Sequence, residues 1–403
     1  MLRNTAVAII AALAIAAAPS LKAATPFVVE KSIGKETVSI ASLQVSGDTG
    51  GLFVNVLKQD IARSGWFEMA TGGYGGIEIS GRADGRGGAL STSVQVRWGG
   101  GGFAWGDTTS GNVEARWQAH RLADEIVRRV KGRQGIAATR IAFVEKNGAG
   151  GAICICDSDG AGLQKFHAEA VSPLSPYFSP DGATIYYTSF TRGYPCIFGV
   201  PSKGGQRAPI ANFTGLNTGG AVSPDGKLVA AVLSHPGNPE LFVINRVTKK
   251  ATRLTRTPRG AEASPCWSPD GNRIAYVSDE SGTPQIYVID SEQKSPARLS
   301  YDGSQNVAPS WGADGRIAYC SKRGGGYAIV VANPATGEST VVSPAGADWE
   351  DPSWAPDGRH IVCSRRDGRT CSLWVLDTEG DQPVKLSLPF GDRRSPEWSG
   401  PLR

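Results

Sequence analysis

The 403-residue sequence predicts an α+β N-terminal domain followed by an all-β six-bladed β-propeller whose ring is closed by the C-terminal strand. Three observations predict this fold: a unit of four short strands repeats every 43–45 residues, Asp-Gly or Pro stands at the strand junctions, and a clipped copy of the unit ends the chain. Four strands in a repeat of this length are typical of a propeller blade, and runs of only a few Ile, Val and Tyr residues exclude helical repeats.

The repeat is anchored on an S-P-D-G-like motif. A short apolar run such as "TIYYT" or "RIAYV" follows each copy, and a second apolar run starts 12 or 13 residues after the first. Asp-Gly suits a tight hairpin because glycine tolerates positive φ. We therefore interpret the repeated aspartates as turn residues and not as metal ligands or catalytic acids. They are Asp181, Asp225, Asp270, Asp314 and Asp357.

Two incomplete copies of the unit complement each other. "RIAFV", starting at Arg140, has no preceding W-S-P-D-G motif, and the terminal "SPEWSG" has no apolar run after it. Trp398 lies 44 residues beyond Trp354, in register with the repeat. We expect the segment at Trp398 to pair with the strand at Ile141, because an open ring would expose an unpaired edge. Five whole blades and one assembled from both ends make six.

The residues before the repeats divide into two parts. Arg3 and the apolar run that follows predict a secretory signal peptide over residues 1–24. Residues 25–135 are predicted to form the N-terminal α/β domain, and residues 139–403 the propeller. Helices are expected at Leu52–Ile61 and Glu114–Lys131, with strands at "VSIASL", "IEISG" and "STSVQVRW". The glycine-rich "TGGYGG" and "GGGGF" are interpreted as loops without phosphate-binding spacing.

Composition and residue chemistry favour binding over catalysis. The net charge of +5 is scattered, which argues against a nucleic-acid partner. The seven cysteines are interpreted as buried thiols, with a Cys363–Cys371 disulfide as the alternative. We interpret His120 as a helix-surface residue and His360 as a solvated strand end. Glu397 is the one clear acid on the predicted inner strands, so the sequence predicts no catalytic residue, no metal site and no cofactor.

Several stretches together resemble the TolB family of periplasmic propeller proteins of the Tol–Pal cell-envelope system. They are "SGWF", "ATRIAFV", "VSPLSPYFSPDG", "LTRTPRGAEASPCWSPD", "YDGSQNVAPSW" and "SPEWSGPL". The resemblance implies an exported, monomeric, non-enzymatic scaffold that binds the lipoprotein Pal and TolA, without direct membrane insertion. Such a scaffold maintains outer-membrane integrity and constriction during cell division. The alternatives are an exported binding propeller or a glycan-processing propeller enzyme outside any Tol–Pal system.

Partner-binding residues are expected where the repeats differ. The loops that lead into each P-x-W motif vary between copies on a fixed scaffold, so they predict the Pal-binding face. Their residues are Leu216, Glu262, Gln305, Asn306, Trp349, Glu350 and Arg393. The resemblance places TolA binding at the β-prone mature start, where strand addition to a sheet edge is the expected mode. These residues are Phe27, Val28, Val29 and Glu30.

Overall fold

The computed structural model describes residues 34–402, except for residues 74, 236, 293 and 294. The predicted signal peptide and the predicted TolA segment, Phe27–Glu30, lie outside the described residues, so both stay predictions. Among the residues that are described, no helix has the length and apolar character needed to cross a membrane.

A small α/β domain precedes the propeller. Helix α1 spans Gly47–Arg63 and helix α2 spans Asn112–Lys131, which confirms the two expected helices. The strands are β1 (Glu36–Ser39), β2 (Leu43–Ser46), β3 (Phe67–Met69), β4 (Ile77–Asp84), β5 (Ala89–Trp98) and β6 (Gly101–Ser110). They form one sheet in the order β3-β1-β4-β5-β6, with β2 also paired to β4. Phe53, Leu57 and Ile61 recur at helical spacing and are buried in the core of this domain.

Two local predictions in this domain are wrong. "VSIASL" is not one strand, because a turn at residues 40–42 divides it between β1 and β2. "GGGGF" is not a loop, because its last residues begin β6. Strand β6 pairs with β5 along its whole length, from Ala89 opposite Ser110 to Trp98 opposite Gly101. Cross-strand pairing therefore overrides the low β-propensity of glycine.

The remaining strands form six four-stranded antiparallel sheets. In chain order they are β7 (Arg140–Asn147), β8 (Gly150–Asp157), β9 (Gln164–Glu169), β10 (Leu174–Phe178), β11 (Thr184–Ser189), β12 (Cys196–Pro201), β13 (Ala208–Ala211), β14 (Asn217–Val222), β15 (Leu228–Leu233), β16 (Glu240–Asn245), β17 (Ala251–Arg253), β18 (Glu262–Trp267), β19 (Arg273–Ser278), β20 (Gln285–Asp290), β21 (Pro296–Arg298), β22 (Asn306–Trp311), β23 (Ile317–Arg323), β24 (Gly326–Ala332), β25 (Ser339–Val341), β26 (Trp349–Trp354), β27 (His360–Asp367), β28 (Thr370–Asp377), β29 (Val384–Lys385) and β30 (Asp392–Trp398). Blades 1 to 5 are β10–β13, β14–β17, β18–β21, β22–β25 and β26–β29, and blade 6 consists of β30, β7, β8 and β9. The predicted fold is confirmed.

The ring closes as the sequence predicts. Strand β30 pairs antiparallel with β7, and Trp398 lies opposite Ile141. The indole Nε1–H of Trp398 donates a hydrogen bond to Thr139 Oγ1 at 2.8 Å, and the Trp398 backbone N–H donates to Ser353 Oγ of blade 5 at 2.9 Å. The same link joins blades 4 and 5, where the N–H of Trp354 donates to Ser310 Oγ at 3.1 Å. The closing strand is therefore attached to its neighbour in the same way as an ordinary blade.

The repeated aspartates act in turns, as predicted. Asp270 Oδ1 accepts a hydrogen bond from Ser268 Oγ at 2.5 Å and another from the backbone N–H of Asn272 at 3.1 Å. Donation from the Ser268 hydroxyl and from that N–H lowers the pKa of Asp270. The seven cysteines are buried and free, which confirms the first interpretation and not the Cys363–Cys371 disulfide.

Candidate functional site

The antiparallel blades give the propeller two different faces. The S-P-D-G turns and the turns between the third and fourth strands of each blade lie on one side, which we call the domain face. Arg359 of blade 5 lies on this face and stacks on Trp66 of the N-terminal domain, with 4.7 Å from Cζ to the ring centre. Asp159 of blade 6 pairs with Arg116 of α2 on the same face. The connections between blades and the hairpins between second and third strands form the opposite side, the open face.

The open face carries exposed apolar side chains that the sequence analysis missed. Phe390, between blades 5 and 6, is 93% exposed, and Tyr301, between blades 3 and 4, is 62% exposed. Val171, Leu174 and Tyr194 are also exposed on this side, at blade 1 and at its connection from blade 6. Exposed aromatic side chains such as Tyr301 and Phe390 are typical of a protein-interaction surface. The signal available in the sequence was an aromatic residue within a glycine- or aspartate-rich connection.

Most of the residues selected from the sequence lie in strands and not in loops, which corrects that part of the prediction. Glu262, Asn306, Trp349 and Glu350 belong to the first strands of their blades, and so does Arg393. Glu262, Asn306, Trp349 and Arg393 are buried. Leu216, Gln305 and Glu350 are half-buried, so these three retain surface that a partner could contact.

The four buried residues brace the open face from beneath. Asn306 donates through its Nδ2 to the backbone carbonyl of Asp302 at 2.8 Å, and Trp349 donates its Nε1–H to the carbonyl of Pro344 at 3.0 Å. Arg393 lies 3.1 Å from Glu145 Oε2 of the neighbouring strand. These side chains therefore tie the first strands of their blades to neighbouring chain segments beneath the open face.

Glu262 should make stability depend on pH. Burial raises its pKa to about 7, although hydrogen bonds from Thr257 and Ser278 lower it. An acid with a raised folded-state pKa costs stability as the pH rises from its ordinary 4.5 through 7, because the folded protein must then ionise a buried group. We expect Glu262→Gln to raise the unfolding free energy at pH 8 by about 1–2 kcal/mol and to change it little at pH 4. Urea unfolding checks this; an equal effect of Glu262→Gln at both pH values, or the same effect from exposed Glu280→Gln, would contradict it.

A central channel of about 400 Å³ runs between the six inner strands. Each inner strand has a β-bulge beside the channel, and a residue within each bulge has positive φ. These residues are Ser175, Gly219, Ser264, Ala308, Asp351 and Ser395. Proline follows in every blade except blade 2, where Gly220 follows Gly219. Since proline has no N–H, the bulge leaves no backbone donor unpaired at that position.

Two acids lie on the channel wall, one more than the sequence analysis counted. Burial raises the pKa of Glu397 to about 8 and also raises that of Asp351. Both carboxylates connect blades 5 and 6: Glu397 accepts a hydrogen bond from Ser353 Oγ at 3.0 Å, and Asp351 accepts one from the N–H of Ser395 at 3.1 Å. These bonds give both acids a structural role in closing the ring.

Two histidines that were interpreted as exposed are buried where the domains meet, so both interpretations are wrong. His120 Nδ1 donates to Asp60 Oδ2 at 2.6 Å, between α2 and α1. His360 Nδ1 donates to Asp357 Oδ2 at 2.6 Å, and its Nε2 lies 3.4 Å from Asp377 Oδ2. His120 pairs with Asp60 of the other helix, and His360 lies against Asp377 of the next strand. The periodicity of a single helix or strand could therefore not indicate their burial.

A six-bladed propeller closed by its own C-terminal strand, with a small α/β domain on one face, defines a two-domain class of propeller protein. A family model described as PD40, TolB beta propeller domain, matches residues 127–402. The chain therefore belongs to the TolB propeller family.

Known relatives agree with this assignment. The chain is 41% identical to the Tol-Pal system protein TolB of Methylobacillus flagellatus over 105 residues, which are 26% of this chain and 24% of that protein. It is 33% identical to the protein of the same name from Anaeromyxobacter dehalogenans over 155 residues, which are 38% and 35% of the two chains. The matched segments thus span about a quarter to a third of these curated relatives.

A solved structure of TolB from Acinetobacter baumannii matches over much more of the chain. Its TM-score is 0.78 at 25% identity, and the match covers 91% of this chain and 97% of that one. The likeness therefore includes the N-terminal domain as well as the propeller.

Proposed function

We propose that this chain is a periplasmic, non-enzymatic scaffold of the Tol–Pal system that binds the lipoprotein Pal through its open face and TolA through its mature N-terminal segment. In this role it maintains outer-membrane integrity and constriction during cell division. The observation that carries the proposal is an open face with exposed aromatic side chains on a propeller of the TolB family.

The position of the N-terminal domain supports the open face as the proposed Pal-binding surface. That domain covers blades 5 and 6 on the domain face, through Trp66 against Arg359 and Arg116 against Asp159. The open face keeps its apolar side chains in solvent, and tyrosine is enriched among interface residues that contribute most to binding. The channel acids Glu397 and Asp351 are held by inter-blade hydrogen bonds, which supports a scaffold over a glycan-processing enzyme.

Because four of the residues expected from the sequence are buried, we propose a different set of residues that contact Pal. Tyr301 and Phe390 are the proposed apolar anchors, and Gln305 and Glu350 are the proposed polar contacts at their margin. Glu350 accepts a hydrogen bond from Arg366 at 2.5 Å, so a partner cation would compete with that arginine. The buried residues support the connections that present these side chains.

Binding to Pal tests the proposed face. We expect Tyr301→Ser and Phe390→Ser each to weaken binding of the soluble domain of the same organism's Pal by about tenfold, which equals about 1.4 kcal/mol. Isothermal titration calorimetry measures the affinity. Val247→Ser is the matched control, because Val247 is 89% exposed in a turn on the domain face. If Tyr301→Ser and Phe390→Ser bind Pal like the parent, or if only Val247→Ser weakens binding, the face is wrong.

Contact with TolA is tested separately. A mature chain lacking residues 25–30 should lose binding to the periplasmic part of TolA and retain its affinity for Pal, because the proposed Pal contacts all lie in the propeller. The same titration reports both partners. Unchanged TolA binding would remove the N-terminal segment from the proposal and leave the Pal face standing.

A further inference from the structure

A buried imidazole nitrogen without a partner lies where the two domains meet. His120 on α2 is 0% exposed, and its Nδ1 is held by Asp60 of α1 at 2.6 Å. Its other nitrogen, Nε2, has no hydrogen-bond partner among the described residues. An unpaired polar atom at full burial is costly and therefore calls for an explanation.

Two carboxylates from the propeller lie next to this imidazole. Asp157 ends β8 of blade 6, and Asp159 follows in the turn; both are buried. His120, Asp157 and Asp159 each place one ligand atom within 4.8 Å of the other two. Arg140 contacts Asp157 only at 3.5 Å from Nε to Oδ1, at the outer limit of a hydrogen bond. An imidazole nitrogen without a hydrogen-bond partner in the described part of the chain thus lies near a carboxylate whose contact with Arg140 is long.

We propose that His120, Asp157 and Asp159 bind one divalent transition-metal ion, with Zn²⁺ the best match, between the N-terminal domain and blade 6. One imidazole and two carboxylates are a donor set that Zn²⁺ accepts, with water in the fourth position. Zn–N and Zn–O bonds of about 2.1 Å place tetrahedral ligand atoms about 3.4 Å apart, so the three side chains need to converge only slightly.

The surroundings prepare the imidazole for this role. When Asp60 accepts the Nδ1–H of His120, Nε2 is left with its lone pair, which is the carboxylate–histidine–metal arrangement of many zinc sites. The ligands come from both domains: His120 belongs to α2, and Asp157 and Asp159 belong to blade 6. A bound ion would therefore fasten the N-terminal domain to the propeller.

Arginines at the site limit its affinity. Arg116 pairs with Asp159, and Arg63 lies 3.8 Å from the same carboxylate oxygen. A cation entering the site must share Asp159 with these guanidinium groups. The proposal therefore expects Arg116→Gln to tighten metal binding, whereas a cluster that only serves ion pairing would show no binding in either form.

Metal titration of the full mature chain, without an affinity tag and stripped with chelator, tests the site. We expect Zn²⁺ to bind with one ion per chain and to raise the melting temperature. Asp157→Asn should weaken the binding at least tenfold while the circular dichroism spectrum stays unchanged, because this substitution keeps the shape of the side chain. Asp302→Asn is the control, since Asp302 is an exposed acid on the open face.

Cobalt distinguishes this site from the seven thiols. Co²⁺ bound by His120, Asp157 and Asp159 should give weak visible bands without a thiolate charge-transfer band. A thiolate band, no saturable binding, or equal affinity in the parent and Asp157→Asn would each overturn the proposal. Tighter binding in Arg116→Gln, together with loss in Asp157→Asn, would support it.

Discussion

Truncation after Phe390 is expected to abolish cooperative folding of the propeller and not merely to free its tail. The deletion removes β30, which is the inner strand of blade 6, and leaves the edge of β7 unpaired. Trp398 packs in one core cluster with Ile141 and Phe143 of blade 6 and with Val362 of blade 5. Loss of a buried tryptophan alone costs about 3–5 kcal/mol, and a whole strand adds to that within a total stability of about 5–15 kcal/mol.

Two milder changes keep this prediction testable if the truncated chain does not accumulate. Trp398→Phe removes the hydrogen bond to Thr139 and part of the ring, and should lower the unfolding free energy by about 1–3 kcal/mol. A synthetic peptide of residues 391–403, added to the truncated chain, should restore β-sheet circular dichroism and a cooperative melt. An unchanged melting midpoint after truncation would contradict the closure by β30.

Sequence alone could predict the ring because its evidence is local and repeated. Six copies of each strand pattern, in register at Trp354 and Trp398, define both the number of blades and the way the ring closes. The S-P-D-G motif forms a turn held by its own aspartate, as at Asp270, so the motif alone predicts the local structure. The N-terminal domain has a single copy of each element, so no repeat supports the prediction there. Strand β6 was missed because its first residues are glycines with low β-propensity, and it forms by pairing with β5.

The candidate site was harder to predict because it depends on contacts between distant segments. Variation at Glu262 and Asn306 indicated a functional face, but the burial of these side chains depends on the connection that precedes each strand. His120 and its partner Asp60 are 60 residues apart, on different helices. Aromatic residues such as Phe390 can be identified in the sequence, but only the fold shows that they are exposed and lie on one face.

Asp377→Asn is expected to cost about 3 kcal/mol of unfolding free energy near pH 6, because it leaves buried cations without their shared anion. Arg359 and His360 are both 4% exposed. Arg359 Nη2 lies 2.8 Å from Asp377 Oδ2, and His360 Nε2 lies 3.4 Å from the same oxygen. Arg359 also stacks on Trp66, and a Cβ at Gly65 would meet its Cζ at 2.7 Å, so the change should loosen the domain junction as well.

The loss should depend on pH in a defined direction. Burial alone would lower the pKa of His360, but Asp357 and Asp377 raise it to about 9. A histidine with a raised folded-state pKa contributes stability fully below its ordinary 6.5, and this contribution disappears as the pH rises through 9. The pKa of Asp377 is held below its ordinary 3.8 despite burial, so its contribution is lost only on acidification below that value.

Urea unfolding at pH 6 and pH 9.5 separates the ion pairs from simple packing. Asp377→Asn should lose less stability at pH 9.5 than at pH 6, because the neutral His360 no longer needs the carboxylate while Arg359 still does. His360→Gln should flatten the fall in stability between pH 6.5 and 9. Glu379→Gln is the control, since Glu379 lies 3.0 Å from Arg359 but is 47% exposed, and exposed pairs contribute about 0–1 kcal/mol. Equal losses in Asp377→Asn and Glu379→Gln would show that the buried carboxylate does not hold the junction together.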